Sequence, residues 1–118
     1  MKILLTTNKT LSNGKTKWID GGYYNTYLPL KDLGHNVYFW DTVNPQEPDY
    51  QKVVDTFKPD LIFACITGDL TIAPAEKTAM ESIVEITKKG NIKTFNWFCD
   101  DTWRFETFST IACQYFNV

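Results

Sequence analysis

Four short runs rich in aliphatic, β-branched or aromatic residues alternate with stretches whose apolar positions recur every three or four residues, and this alternation most constrains the fold. Residues 2–7 form an aliphatic run ending in Thr6-Thr7, the form of a buried parallel strand that opens into a loop at its carboxyl end. Residues 36–40, closed by Asp41, 60–66 and 91–98 read as further strands, and the nearly continuous apolar character of 60–66 makes it central. Between them, Tyr23, Tyr27 and Leu30 share one face of a helix over 22–33, with Pro29 kinking or restarting it and Gly34 as its stop. Tyr50, Val53, Val54 and Phe57 mark a helix over 49–57 that Lys58-Pro59 ends. Pro74 fits the first turn of a third helix, with Met80, Ile83, Val84 and Thr87 inward and Lys88-Lys89-Gly90 as its close. A short helix over 103–110 and a fifth strand over 113–118 complete the reading. Strands alternating with helices imply right-handed crossovers, so the expected class is α/β: a Rossmann-like, three-layer α/β/α domain over 1–118 with a parallel sheet of about five strands.

Such a sheet binds ligands beyond the carboxyl ends of its strands, where strand order reverses. That rule selects the loops after Thr7, Asp41, Thr67 and Asp100. Residues 8–22 form a polar loop that is long for such a connection, which points to a functional or mobile segment. No G-x-G-x-x-G fingerprint follows the first strand, so a nicotinamide or flavin enzyme is disfavoured and no cofactor is expected. Gly21 and Gly22 instead permit a tight helix start or a close backbone approach, with anion binding as the weaker alternative. Asp41 stands where a ribose-binding acid would sit, but without the glycines it reads first as a loop or cap residue.

Thr67-Gly68-Asp69 offers a hydroxyl, a flexible backbone and a carboxylate suited to a polyol, although an Asx-type turn accounts for the same residues. The densest signal is Asn96-Trp97-Phe98-Cys99-Asp100-Asp101-Thr102-Trp103-Arg104-Phe105. One of the two acids suits a helix cap, and Arg104 can pair with the other or clamp an anionic ligand group. Most of the surrounding aromatics are expected in the core, with one indole left to stack on a sugar face. His35, the only histidine, reads as a solvent-facing turn residue rather than a base.

Formal net charge is −2 with both signs interspersed, so no basic surface invites nucleic acid. No apolar run approaches a membrane span or a signal peptide, and the expected setting is soluble and cytoplasmic. Cys65, Cys99 and Cys113 lack metal-ligand spacing and read as buried free thiols ahead of a disulfide or metal role.

Gly21-Gly22-Tyr23-Tyr24, the stretch Leu30-Lys31-Asp32-Leu33-Gly34-His35-Asn36-Val37, Lys58-Pro59-Asp60-Leu61-Ile62 and the segment from Trp97 to Phe105 together resemble the amino-terminal domain of CgeB-like, spore-maturation-type glycosyltransferases. The likeness spans nearly the whole chain, and the Trp-Phe-x-Asp-Asp-x-Trp-Arg segment is its most specific piece. It implies a GT-B enzyme, in which two Rossmann-like domains face across a cleft and a sugar passes from a nucleotide-sugar donor to an acceptor. This chain would be the acceptor-side half, inactive alone, with Asp100 or Asp101 as candidate general base. Gly21, Gly22, Tyr23, Thr67, Gly68, Asp69, Trp103 and Arg104 would be its substrate-binding residues. Adjacent acids match the D-x-D metal motif of other glycosyltransferases poorly, so no metal is expected. A homo-oligomer through the exposed domain-interface surface is a further partner expectation. The alternative is a flavodoxin-like ligand- or partner-binding module without catalysis. Receiver and cobalamin-binding versions of it lack their chemistry here, since Thr6-Thr7-Asn8 replaces the phosphorylatable acid and the first loop has no histidine.

Overall fold

The computed structural model describes residues 1–12, 14–66, 74–99 and 101–117, with the backbone alone for 74–78, Asp101 and Trp103. Its centre is a four-stranded parallel sheet built from β1 (Lys2–Thr7), β4 (Asn36–Asp41), β5 (Leu61–Ala64) and β6 (Lys93–Asn96), in the order β4-β1-β5-β6. Ile3 pairs with Val37 on one side and Leu61 on the other, and Ile62 pairs with Thr94. The chain moves first to one side of β1 and then to the other, which places the order reversal between the carboxyl ends of β1 and β5.

Strand pleating divides the core in two. On one face Leu4, Trp40, Ile62 and Ala64 bury against Tyr50, Val53 and Val54 of α2 (Tyr50–Phe57) and Ala79, Ile83 and Ile86 of α3 (Pro74–Lys89). On the other, Ile3, Leu5 and Val37 take Tyr27 and Leu30 from the first helical segment. Phe63 and Phe95, T-stacked at 5.0 Å, remain only half-buried.

Local chemistry sets the helix limits. The Asp49 carboxylate accepts from the Lys52 amide at 2.9 Å and so starts α2, and Lys58 ends it in a left-handed turn at φ 51° ahead of Pro59. Gly90 closes α3 at φ +69°. The expected restart at Pro29 is visible as a change of helical register: Tyr23–Tyr27 is a π-helical turn, and α1 (Leu28–Asp32) follows with Pro29 in its first turn. Proline has no N–H to donate and its ring crowds the carbonyl four residues back, which the wider π turn accommodates.

Two expectations are corrected. Residues 8–22 are not a plain loop, because β2 (Thr10–Ser12) and β3 (Lys17–Ile19) pair antiparallel within them, with Gly14 at φ +84° between the two strands. Residues 113–117 do not form the fifth strand expected over 113–118, whose last residue lies outside the described ones. The last stretch is helical instead, running through α4 (Asp101–Arg104), a π turn over Phe105–Ser109, α5 (Thr110–Ala112) and a 3-10 turn over Cys113–Tyr115. Phe116 then drops into the core beside Phe98, and Asn117 alone imitates a strand partner: its amide donates to the Thr94 carbonyl and its Oδ1 accepts from the Thr94 amide, each at 3.0 Å. Burying Phe116 takes the place of extending the sheet. Among the described residues no helix is long and apolar enough to cross a membrane.

Candidate functional site

The carboxyl edge of the sheet carries a cleft of about 300 Å³ lined by Lys9, Tyr23, Tyr27, Phe39, Asp41, Asn44 and Glu47. Three elements meet there. β1 runs into Asn8 and Lys9, β4 ends at Asp41, and the π turn supplies the two tyrosines. Asp41 joins the first two: its Oδ1 accepts from the Lys9 amide at 3.0 Å and from the Val43 amide at 3.2 Å, the loop role expected of it. The buried Thr42 adds a hydrogen bond from its hydroxyl to Asn8 Oδ1 at 3.1 Å and one from its amide to the Thr7 carbonyl at 3.2 Å.

The wall of the cleft is aromatic. Tyr23 and Tyr27 stack at 5.1 Å, and both meet Phe39 edge-on, at 5.8 and 5.3 Å. Lys9 Nζ lies 5.4 Å from the centre of the Tyr23 ring, a cation–π contact. The rim is rich in acceptors, since the Asp41 and Glu47 carboxylates stand with the Asn44 amide, which donates to Glu47 Oε1 at 3.2 Å. Two carboxylates against one ammonium make the cleft anionic. That balance repels a pyrophosphate and suits a neutral ligand with many hydroxyl donors and an apolar face.

Beside the cleft, at the order reversal, Asp20 organises the start of the helix. It accepts from the Gly22 amide at 2.7 Å through Oδ1, and its carbonyl accepts from the Tyr23 amide at 3.1 Å. A Cβ on Gly22 would lie 3.0 Å from Asp20 Oδ1 and 3.1 Å from Thr7 Oγ1, so Gly22 lets the helix start sit directly on the end of β1. Gly21 is less confined, since a Cβ there would meet only the flexible Asn25 amide at 3.3 Å. This close approach is what delivers Tyr23 to the cleft.

Next along the edge, Cys65 and Cys99 bring their sulfurs to 3.1 Å. Cys65 follows β5 and its amide donates to the Thr6 carbonyl at 2.8 Å. The buried Asn96 side chain grips the next residue in both directions, accepting from the Ile66 amide at 2.9 Å and donating to the Ile66 carbonyl at 3.3 Å. Burial pushes the Cys65 thiol well above its ordinary range, and the facing Cys99 sulfur adds to the effect.

Of the residues singled out from sequence, the structure places Gly21, Gly22 and Tyr23 together at this edge. Thr67, Gly68, Asp69 and Asp100 lie outside the described residues. Asp101 is the first residue of α4, Trp103 lies within it, and the half-buried Arg104 ends it. Two readings of this region change. Trp97 and Phe105 are exposed, at 59% and 57%, while Phe98 and Phe108 pack against the core; Trp97 is compatible with the one indole expected outside, and Phe105 is the aromatic that leaves the expected core. The cysteines are not all buried either: Cys65 and Cys99 are half-buried, and Cys113 is exposed on the 3-10 turn that replaces the expected strand.

Sequence reasoning passed over Lys9, Phe39, Asn44 and Glu47 as cleft residues, and treated Tyr27 only as a helix face. The available signal was the i, i+4 tyrosine pair above a strand ending in aspartate. Compared with known protein families, curated proteins and solved structures, the chain matches none.

Proposed function

We propose that this chain is the acceptor-side, amino-terminal domain of a GT-B glycosyltransferase, with a three-layer Rossmann-like arrangement, and that it binds a saccharide in the cleft over β1 and β4. The observation that carries the reading is the chemistry of that cleft: an aromatic wall of Tyr23, Tyr27 and Phe39 under a rim of Asp41, Asn44 and Glu47. Sugar C–H faces pack on aromatic rings while sugar hydroxyls donate to carboxylate and amide oxygens, so one ligand satisfies both parts. The excess of carboxylates over cations agrees with an acceptor rather than a nucleotide donor, whose phosphates need arginine, lysine or a cluster of amides. The resemblance of the segment from Trp97 to Phe105 to CgeB-like enzymes supports the same assignment. Asp100 and Asp101, which follow β6 in the sequence, are the proposed base candidates for the acceptor hydroxyl, a role that burial would favour by raising a carboxyl pKa. Thr67, Gly68, Asp69, Trp103 and Arg104 are the remaining proposed substrate contacts. The donor half of such an enzyme contributes most nucleotide contacts, and transfer is expected only when it is present.

The test is ligand-observed NMR and calorimetry on the chain with mono- and disaccharides and with nucleotide sugars. Saccharide binding without nucleotide binding is expected, and Tyr23→Ala should weaken it roughly tenfold, equivalent to about 1.4 kcal/mol. Tight nucleotide or flavin binding with no response to any saccharide would instead support the non-catalytic flavodoxin-like module, whose first four strands follow the order seen in this sheet.

A further inference from the structure

The two sulfurs at the order reversal belong to residues 34 positions apart, yet they approach to 3.1 Å because the sheet imposes it. Ala64 is in register with Asn96, and the Trp97 amide donates to the Ala64 carbonyl at 2.8 Å, so the chain leaves β5 and β6 side by side. Cys65 is held from the left by Thr6 and, through Ile66, from the right by Asn96. Closing to the disulfide distance of about 2.05 Å requires the sulfurs to move by only about 1 Å. Among the described residues no further histidine, cysteine or carboxylate completes a metal-holding group with them. Cys113, by contrast, is exposed on its own turn, its thiol 3.4 Å from the Thr110 carbonyl.

We propose that Cys65 and Cys99 are a redox-active dithiol, a modification site that exchanges with low-molecular-weight disulfides and closes to an intramolecular disulfide across the ends of β5 and β6. The inference does not depend on the saccharide reading. Burial disfavours the Cys65 thiolate, so the Cys99 thiolate makes the first attack on the small disulfide. The Cys99–sulfur bond forms, the reagent S–S bond breaks, and one reagent thiol leaves. Cys65 then gives its proton to solvent as its sulfur attacks Cys99 Sγ, the Cys65–Cys99 bond forms, and the second reagent thiol leaves. The protein gives up two electrons and two protons, and the reagent disulfide takes them up as two thiols. The bond would join the chain after β5 to the Trp97–Phe105 segment, beside Thr7 and Asp20, and so tie the centre of the ligand-binding edge.

The full chain is equilibrated with oxidised and reduced glutathione in varied ratio, quenched with an alkylating reagent and digested for peptide mass spectrometry. The expected result is a Cys65–Cys99 cross-linked peptide carrying two hydrogens fewer than the dithiol, reversed by excess reduced glutathione. Cys113 should carry either the alkyl label or glutathione. Cys113→Ser should leave the cross-link unchanged, and Cys65→Ser should stop oxidation at a mixed disulfide on Cys99. In urea the preference should vanish, with all three pairings appearing. Separate glutathione adducts on Cys65 and Cys99 in the folded Cys113→Ser chain, two free thiols under oxidising ratios, or pairing to Cys113 in the unmodified chain would each overturn the proposal.

Discussion

Thr6 and Tyr50 share a hydrogen bond of 2.7 Å between hydroxyls on residues that are both 0% exposed, at the contact between β1 and the first turn of α2. No other hydrogen bond to either hydroxyl occurs among the described residues, so each is the other's satisfaction. Tyr50→Phe leaves the Thr6 hydroxyl buried without a partner, and Thr6→Val does the same to the phenol. An orphaned buried hydroxyl costs about 1–3 kcal/mol, whereas the net value of the paired bond is only about 0.5–1.5 kcal/mol. Each single variant should therefore lose roughly 2 kcal/mol, and the double variant should lose less than the sum by at least about 1 kcal/mol, because no orphan remains. Urea unfolding followed by circular dichroism measures this. With an m-value of about 2 kcal/mol/M, each single variant should move its midpoint down by roughly 1 M. Additive losses, or single variants within about 0.5 kcal/mol of the parent, would refute the claim that this pair is dry and mutually dependent.

Three further outcomes follow from the same edge of the sheet. Asn96→Ala strips both bonds to Ile66 from a residue that is 4% exposed, and should cost about 2–4 kcal/mol in the same urea assay, with Asn96→Asp restoring at most the accepting half. Gly22→Ala gains up to about 1 kcal/mol of helix propensity but drives a methyl to 3.0 Å from Asp20 Oδ1, so crowding of about 1–3 kcal/mol wins and the variant should be less stable than the parent. Under reducing conditions, stability should fall in alkali. The folded chain raises the Cys65 thiol chiefly by burial, then by the facing Cys99, and the Tyr50 phenol by burial against a smaller opposing effect of the Thr6 bond. A raised folded-state pKa means that the stabilisation is complete below the unfolded value and is lost above it. The losses should begin near about pH 8.5 for Cys65 and about pH 10 for Tyr50, each at no more than about 1.4 kcal/mol per pH unit. Cys65→Ser should remove the first loss and Tyr50→Phe should reduce the second, which the Tyr38 phenol, also raised by burial and then by Glu47, shares; a urea midpoint flat from pH 7 to alkaline pH would contradict both.

Much of the fold was legible because its signals are local. The four strands of the sheet, the helix over Tyr50–Phe57 that Lys58-Pro59 ends, and the long helix opening at Pro74 all follow from apolar period and from residues with special backbone preferences, whereas the Asp49 cap and the left-handed Lys58 emerge only in the structure. The long helix is rotated slightly from the expected face, burying Ala79 and Ile86 where Met80 and Thr87 stand half-buried. The misses have one cause. Thr10–Ser12 and Lys17–Ile19 are strands only because they pair with each other, and their exposed Leu11, Trp18 and Ile19 show no inward face to read. Cys113–Val118 has strand-like composition, but Phe116 gains more by filling the space beside Phe98 and Phe108 than by lying along β6.

The candidate site divides the same way. By itself the sequence pointed to the carboxyl ends of the parallel strands as the place for ligand chemistry, allowed the glycine pair before Tyr23 a tight helix start or a close approach, and placed Asp41 at the end of its strand. These are consequences of backbone sterics and of a period of two or nearly four residues, which neighbours along the chain already express. Only tertiary structure decided that Lys9, Tyr23, Phe39 and Glu47 share one cleft and that Cys65 meets Cys99, because these contacts depend on the order in which strands associate. Strand order is set by the burial of whole faces, Ile3, Leu5 and Val37 on one side and Leu4, Ile62 and Ala64 on the other, and no single segment carries that information.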